Sequence, residues 1–532
     1  MTSNTITALL SRAANHFERI ADHVRGKIDP VESPSESWHS WDPTPWAHPW
    51  LTHENLSKAK AFDGRLLNNI GKNYGGVPAR AGRYAFVGNL ANNMAMRALP
   101  LRQRGYSVDI FLHPQDRSVM SQPGWELSEA MLPNNETNVD LLRANGICLP
   151  EVTGVFTPPT ISEDQLTQLI NLAKITPSLS WGQVASQHFM RQNDIVTWGA
   201  YFAFLPFFEA LQSYKCIFAA QAPYLAYFAN RPYLAAQTGG DLWLECSRND
   251  AFGILQRKSY RKAGAILATN PWAYSNARRF GFRHVIYMPL MVDTEAYAPG
   301  PSASREAWKK QVGGDFFALV TARIDRRWKG SHIGIEGFAR FALRNPQARL
   351  VLVGWGEDSS DIDTLKELGL EGRFIQLPIS GKRKLVEYLR AADCLIDQFV
   401  IGYYGATALE AMATGVPVIM RLLREQYDAL CPTGAPPVLN ASTPDEVAAC
   451  LERLAASHEA RQDLALASRR WIALNHSVDK WGEHYGALLN AVSSGMRFDF
   501  RKSPLATPLS RDELVYHAAS LAAAPTFPNY DI

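Results

Sequence analysis

Two loops in the second half of the chain combine residue types that can hold a phosphorylated ligand. The first, Thr321-Ala-Arg323-Ile-Asp-Arg-Arg-Trp-Lys329-Gly330, joins an apolar run at 316–322 to a helical segment. A guanidinium and an ammonium at a strand-to-helix turn neutralise a diphosphate, and the free amides of the helix start add donors. Taken alone, such a loop reads as a solvated basic turn. The second is Gly402-Tyr-Tyr-Gly405-Ala406-Thr-Ala-Leu-Glu410-Ala-Met-Ala-Thr-Gly415-Val-Pro-Val. A glycine-led loop opens a helix whose first amides suit a phosphate, and Glu410 falls inside that helix among Ala, Leu and Met. A carboxylate there needs hydrogen-bond partners or a cleft. Ribose hydroxyls would serve, and so would an ion pair within the protein.

The elements that must position these loops form an α/β alternation. Tyr84-Ala-Phe-Val-Gly, Ser107-Val-Asp-Ile-Phe-Leu, Asp194-Ile-Val-Thr-Trp, Cys216-Ile-Phe-Ala-Ala, Ala263-Gly-Ala-Ile-Leu-Ala and His284-Val-Ile-Tyr-Met are short apolar runs between helical segments. That rhythm predicts parallel sheets covered by helices on both faces. Ala298-Pro-Gly-Pro-Ser-Ala-Ser marks a boundary. A second set of strands is expected near 316–322, 348–353, 373–377, 394–399 and 416–420, with helices from Pro444 to Val492. The resulting expectation is a helical extension over 1–60, one domain over 61–297, a second over 298–492, and a tail over 493–532 returning to the first. Ligands of open α/β sheets bind beyond the carboxyl ends of the strands.

The 532 residues carry 54 Lys+Arg against 51 Asp+Glu, too balanced for a protein built to grip a nucleic-acid backbone. The six cysteines are scattered without close pairs, which removes zinc and redox motifs and leaves buried thiols. No His pair or Asp-x-Asp motif stands where it could chelate a metal, so none is expected. The first residues lack a secretory signal and no window is long and apolar enough to span a bilayer, so a cytoplasmic location is expected. The aromatic cluster Trp198, Tyr201, Phe202, Phe204, Phe207 and Phe208 reads as core, as an acceptor wall, or as peripheral contact with an inner membrane face.

As an ordered set, the motifs resemble the retaining glycosyltransferases of family 4, a GT-B group with two Rossmann-like domains facing across a cleft. The set comprises Met288-Pro-Leu-Met-Val-Asp293…Tyr297-Ala-Pro, Arg323…Lys329-Gly330, Leu350-Val-Leu-Val-Gly354-Trp-Gly356, Ala391-Ala-Asp393-Cys-Leu and Gly405…Glu410-Ala-Met-Ala-Thr-Gly415-Val-Pro-Val. The match is tight from 284 to 420 and loose before. The resemblance implies that Arg323 and Lys329, with Gly330, bind a donor diphosphate, and that Glu410 binds the donor ribose. The amides at Gly405 and Ala406 would face the distal phosphate, Gly354 and Gly356 would shape the neighbouring loop, and the segment holding Leu377 would contact the base. Asn89 would belong to the first-domain loop that approaches the phosphates.

Two departures stand out. The family's paired glutamates lie eight positions apart, and the first falls on Gly402; Asp397 is the nearest carboxylate that could replace it. The family's first-domain histidine is absent from Gln237-Thr-Gly239-Gly240-Asp241, where Asp241 either faces the cleft or caps the following helix. The expected activity is transfer of a sugar from a nucleotide-diphosphate sugar to a glycan or lipid-linked acceptor. Retention, independence of metal or other cofactor, and a place in surface polysaccharide synthesis accompany it. The rival expectations are a GT-B epimerase or hydrolase and a non-catalytic partner subunit that binds a nucleotide sugar.

Overall fold

The computed structural model describes residues 52–74, 82–112, 124–127, 155–156, 204–248, 251–282, 284–326, 328–353, 360–431 and 433–496. The expected helix over 1–30, the strand at 194–198, Gly354, Gly356 and the tail beyond 496 lie outside them.

Two parallel sheets organise the chain. The first contains β1 (Arg83–Val87), β2 (Ser107–Phe111), β3 (Val155–Phe156), β4 (Cys216–Ala220), β5 (Tyr233–Ala236), β6 (Ala265–Ala268) and β7 (Val285–Tyr287), in the order β3-β2-β1-β4-β5-β6-β7. The second contains β8 (Phe316–Val320), β9 (Ala348–Val353), β10 (Phe374–Leu377), β11 (Cys394–Ile396), β12 (Val418–Met420) and β13 (Leu439–Asn440), in the order β10-β9-β8-β11-β12-β13. Most of these strands are buried along their whole length, because helices cover both faces of a parallel sheet and leave no side for water. The strand order reverses between β1 and β4 in one sheet and between β8 and β11 in the other. Each reversal opens a crevice at the carboxyl edge.

β5 escaped the sequence reading because Tyr233-Leu-Ala-Ala is short and follows the helix Pro223–Ala229 almost directly. The helix Val478–Ser493 needs a correction. The sequence reading grouped it with the second domain, yet its Trp481, Tyr485, Leu488 and Leu489 pack with Tyr84, Phe86 and Phe218 of the first sheet. Tyr485 fixes the arrangement by donating to the Pro289 carbonyl at 2.9 Å. The chain therefore crosses between the domains twice, and the two crossings lie side by side. Val292 donates to the His476 carbonyl at 2.8 Å, and Val478 donates back to Val292 at 3.3 Å.

Of the aromatic cluster, Phe204, Phe207 and Phe208 are buried in the first-domain core, against Phe111 and Phe228. Trp198, Tyr201 and Phe202 lie outside the described residues. Among the described residues no helix is long and apolar enough to cross a membrane.

Candidate active site

The first loop leaves the carboxyl end of β8, beside β11, at the crevice where the strand order of the second sheet reverses. Its path is set by Asp325, whose carboxylate accepts from the Trp328 amide at 2.8 Å and also pairs with Arg323. The Asp325 amide donates to Ser331 Oγ at 3.1 Å, closing the turn onto the helix Ser331–Arg344. Asp361, fully buried, accepts from Arg326 at 2.6 Å and from Ser331, so it braces the loop from below. Gly330 sits at φ +66, a left-handed conformation in which an added Cβ would stand 3.0 Å from Val400. Lys329 can therefore approach the loop after β11, and its carbonyl accepts from the Phe399 amide at 2.7 Å.

The ammonium of Lys329 donates to Gln398 Oε1 at 2.7 Å. Burial pulls its pKa below the ordinary lysine value, the neighbouring Asp397 carboxylate opposes that, and the Arg323 guanidinium adds to it. Asp397 is 6% exposed; burial pushes its pKa up, Lys329 pulls it down, and Glu410 pushes it up again. Its Oδ2 has no hydrogen-bond partner among the described residues. Electrostatic influence thus runs from Arg323 to Lys329, from Lys329 to Asp397 and from Asp397 to Glu410.

The second loop ends at Gly405, the N-cap of the helix Ala406–Thr414. Among the described residues no side chain caps that end, and none comes within 4 Å of where a Gly405 Cβ would stand. The first amides of an α-helix have no partner within the helix. Glu410, one turn inside, is 1% exposed and accepts from Lys382 Nζ at 2.6 and 2.7 Å. Of the two partners open to Glu410 from sequence, the ion pair is present here. A cavity of about 620 Å³ adjoins it, lined by Glu410, Lys382, Ala406, Glu126 and Tyr297 among others.

Other expected residues hold the fold locally. Asn89 is buried; its side-chain oxygen accepts from the Met94 and Ala95 amides at 3.0 and 2.8 Å, so it organises the start of a helix after β1. Asp241 accepts from the Thr238 and Leu242 amides at 3.0 Å and from the Tyr260 hydroxyl. These bonds tie the preceding turn and the adjacent amide rather than cap a following helix, and burial pushes the carboxyl to about 6 despite them. Leu377 ends β10, partly buried, just before the Ser380–Lys382 turn.

Three contributors had escaped the sequence reading. Trp125 and Glu126 come from the first domain on the short helix Gly124–Leu127, and Lys382 opens the helix Lys382–Ala391. A lysine in a first helical turn opposes the helix dipole, and that misfit was a legible sign of an acidic partner. Glu126 carried no sequence signal. Asn92 and Tyr297 donate to its carboxylate at 3.4 Å each. Burial pushes its pKa up to about 7, opposed by Lys382 and reinforced by Glu410. A carboxyl raised from 4.5 to about 7 favours folding most below pH 4.5, and that stabilisation is lost as pH rises through 7. Glu126→Gln is therefore expected to leave stability at pH 5 nearly unchanged and to raise it at pH 8 by on the order of 1–2 kcal/mol. Urea unfolding at the two pH values measures this, and equal shifts at both would refute it.

Comparison with known proteins bears on this site. Residues 304–471, the stretch that holds both loops, match the family model described as Glycosyl transferases group 1. Mannosylfructose-phosphate synthase of Agrobacterium fabrum is 28% identical over 31% of this chain and 38% of its own length. D-inositol 3-phosphate glycosyltransferase of Corynebacterium aurimucosum is 32% identical over 26% of this chain and 34% of its own. The match thus spans little more than a third of these relatives. Among solved structures, HepE of Anabaena, in complex with UDP and glucose, superposes with a TM-score of 0.54 at 14% identity, covering 77% of this chain and all of that one. Sucrose-phosphate synthase of Thermosynechococcus elongatus superposes with a TM-score of 0.52 at 16% identity, over 78% of this chain and all of that one. At such identities the likeness concerns architecture, and the architecture of this chain is the two-domain α/β fold of GT-B glycosyltransferases.

Proposed function

We propose that this chain transfers a sugar from a nucleoside-diphosphate sugar to a saccharide or lipid-linked acceptor, with retention at the anomeric carbon, in surface glycan synthesis. The observation that carries the reading is the pair of cations Arg323 and Lys329, beside Asp397 at the crevice where the strand order of the second sheet reverses, within the stretch that matches group 1 glycosyl transferases. The donor diphosphate lies there, with Glu410 at the ribose. As the bond between anomeric carbon and diphosphate oxygen breaks, negative charge grows on the leaving group. Arg323, Lys329 and the helix amides stabilise that charge where it develops, a role that a divalent ion fills in other sites. The acceptor hydroxyl attacks the same face, and its proton passes to the departing diphosphate. Asp397, with its free oxygen, stands beside the transferred sugar in place of the family glutamate. Closure of the domains keeps water from competing with the acceptor.

A mass-spectrometric screen against UDP-, GDP-, ADP- and dTDP-sugars, with and without pooled oligosaccharide acceptors, tests this. The expected result is free nucleotide together with a new glycoside. Donor loss without a glycoside would replace transfer by epimerase or hydrolase chemistry. Gly402 favours one rival, the nucleotide-sugar-binding partner subunit, and binding without turnover across all acceptors would establish it.

A further inference from the structure

Glu410 and Lys382 form a buried ion pair, with side chains 2% and 6% exposed, at the wall of the 620 Å³ cavity. Ion pairs of this kind add little to stability compared with an apolar pair of similar volume. Lys382 also stands in the first turn of its helix, where the dipole disfavours a cation. The lysine is nonetheless held firmly. Its Nζ lies within 2.7 Å of both Glu410 oxygens and 4.8 Å from the centre of the Trp125 ring. The Trp125 indole in turn donates to the Ser380 carbonyl at 3.0 Å. Glu126 acts electrostatically on both members of the pair, and the Tyr297 hydroxyl is a hydrogen-bond partner of Glu410.

A carboxylate has about four lone-pair directions. Lys382 takes one on each oxygen and the Tyr297 hydroxyl reaches the carboxylate as well, which leaves the rest for the open cavity that the pair borders. We propose that Lys382 is a positioning residue for donor recognition: it orients the Glu410 carboxylate so that the adjacent 2′- and 3′-hydroxyls of a ribonucleoside diphosphate bind the lone pairs it keeps toward the cavity. This rests on the reading of Glu410 as the ribose contact. It adds a substrate preference, for ribonucleotide over 2′-deoxyribonucleotide donors, set through a lysine that never touches the nucleotide.

The test is calorimetric binding of UDP, ADP and GDP, each beside its 2′-deoxy counterpart, to the full chain. A hydrogen bond to a charged group is lost in the deoxy form, so wild type should bind the ribo form of its preferred base about tenfold or more tightly. Glu410→Gln and Lys382→Met should each bring that ratio close to one. A merely structural role for Lys382 would lower the folded fraction and weaken both forms equally. Should Lys382→Met not fold, the double variant Lys382→Met/Glu410→Gln removes both charges together and retains a neutral core. Its ratio and affinity should match those of Glu410→Gln alone. A wild-type ratio in Lys382→Met, or a further loss of affinity in the double variant, would overturn the role of the lysine while leaving the Glu410 contact in place. A ratio near one in wild type, or no binding of any of the six nucleotides, would overturn the ribose contact itself.

Discussion

Turnover of Lys329→Ala is expected to fall by two to three orders of magnitude, about what the loss of one preorganised stabiliser of developing charge costs elsewhere. Arg323→Ala is expected to fall by a smaller factor. The reason is desolvation. The Lys329 ammonium is shielded by the loop after β11 and by Gln398, whereas the Arg323 side chain is 34% exposed and shares its charge with Asp325. A charge shielded from water acts more strongly on a diphosphate at the same distance. Arg323→Ala should leave the thermal midpoint nearly unmoved, because half-exposed ion pairs contribute little. Lys329→Ala should lower it somewhat, because Asp397 loses its cation. The pH profile provides a second readout. Burial lowers the Lys329 pKa from 10.5, so kcat/KM should begin to fall on the alkaline side before an ordinary lysine would lose its proton. Lys329→Arg, which stays charged, should extend that limb upward. Unchanged turnover in both alanine variants would remove the proposed mechanism.

Gly402→Glu, which places a glutamate where the resembled family carries one, is expected to destabilise the protein by about 2–5 kcal/mol and to bring no gain in turnover. Gly402 has φ +78, a region that costs any residue with a Cβ about 1–2 kcal/mol. A Cβ there would stand 2.8 Å from Leu423 Cγ, and overpacking typically adds about 1–3 kcal/mol. Leu423 cannot easily withdraw, since its amide donates to the Gly402 carbonyl at 3.0 Å. Both the backbone conformation and Leu423 thus favour glycine at 402, and a carboxylate placed there by one substitution carries both costs. Urea unfolding of Gly402→Ala and Gly402→Glu separates the two contributions: alanine already incurs the backbone cost and the Cβ contact, and glutamate adds the rest of its side chain. A stable Gly402→Glu protein with raised turnover would show that the loop reaches the family geometry.

Much of this protein was legible before its structure. Strands buried on both faces must be apolar throughout, so runs such as Cys216-Ile-Phe-Ala-Ala and Leu350-Val-Leu-Val announced two parallel sheets. The two loops proposed to hold a phosphate stand out in the sequence because a diphosphate needs cations and free amides close together, and short stretches of chain supply both. Tertiary structure decided the rest. Glu410 and Lys382 are 28 positions apart, and Glu126 meets Tyr297 across 171. Nothing local selects such partners; they meet because helix and loop leave the same edge of the folded domains. The helix Val478–Ser493 carries an apolar face that would suit either sheet, and only the second crossing beside Val292 delivers it to the first. Asn89 and Asp241 show the converse. Each stands where a polar side chain after a strand reads as functional, but the nearest unsatisfied amides were those of its own turn. Local pattern therefore determined which elements form and which loops can hold a phosphate. Burial decided which charges must pair, because desolvation makes an unpartnered charge costly wherever the fold encloses it.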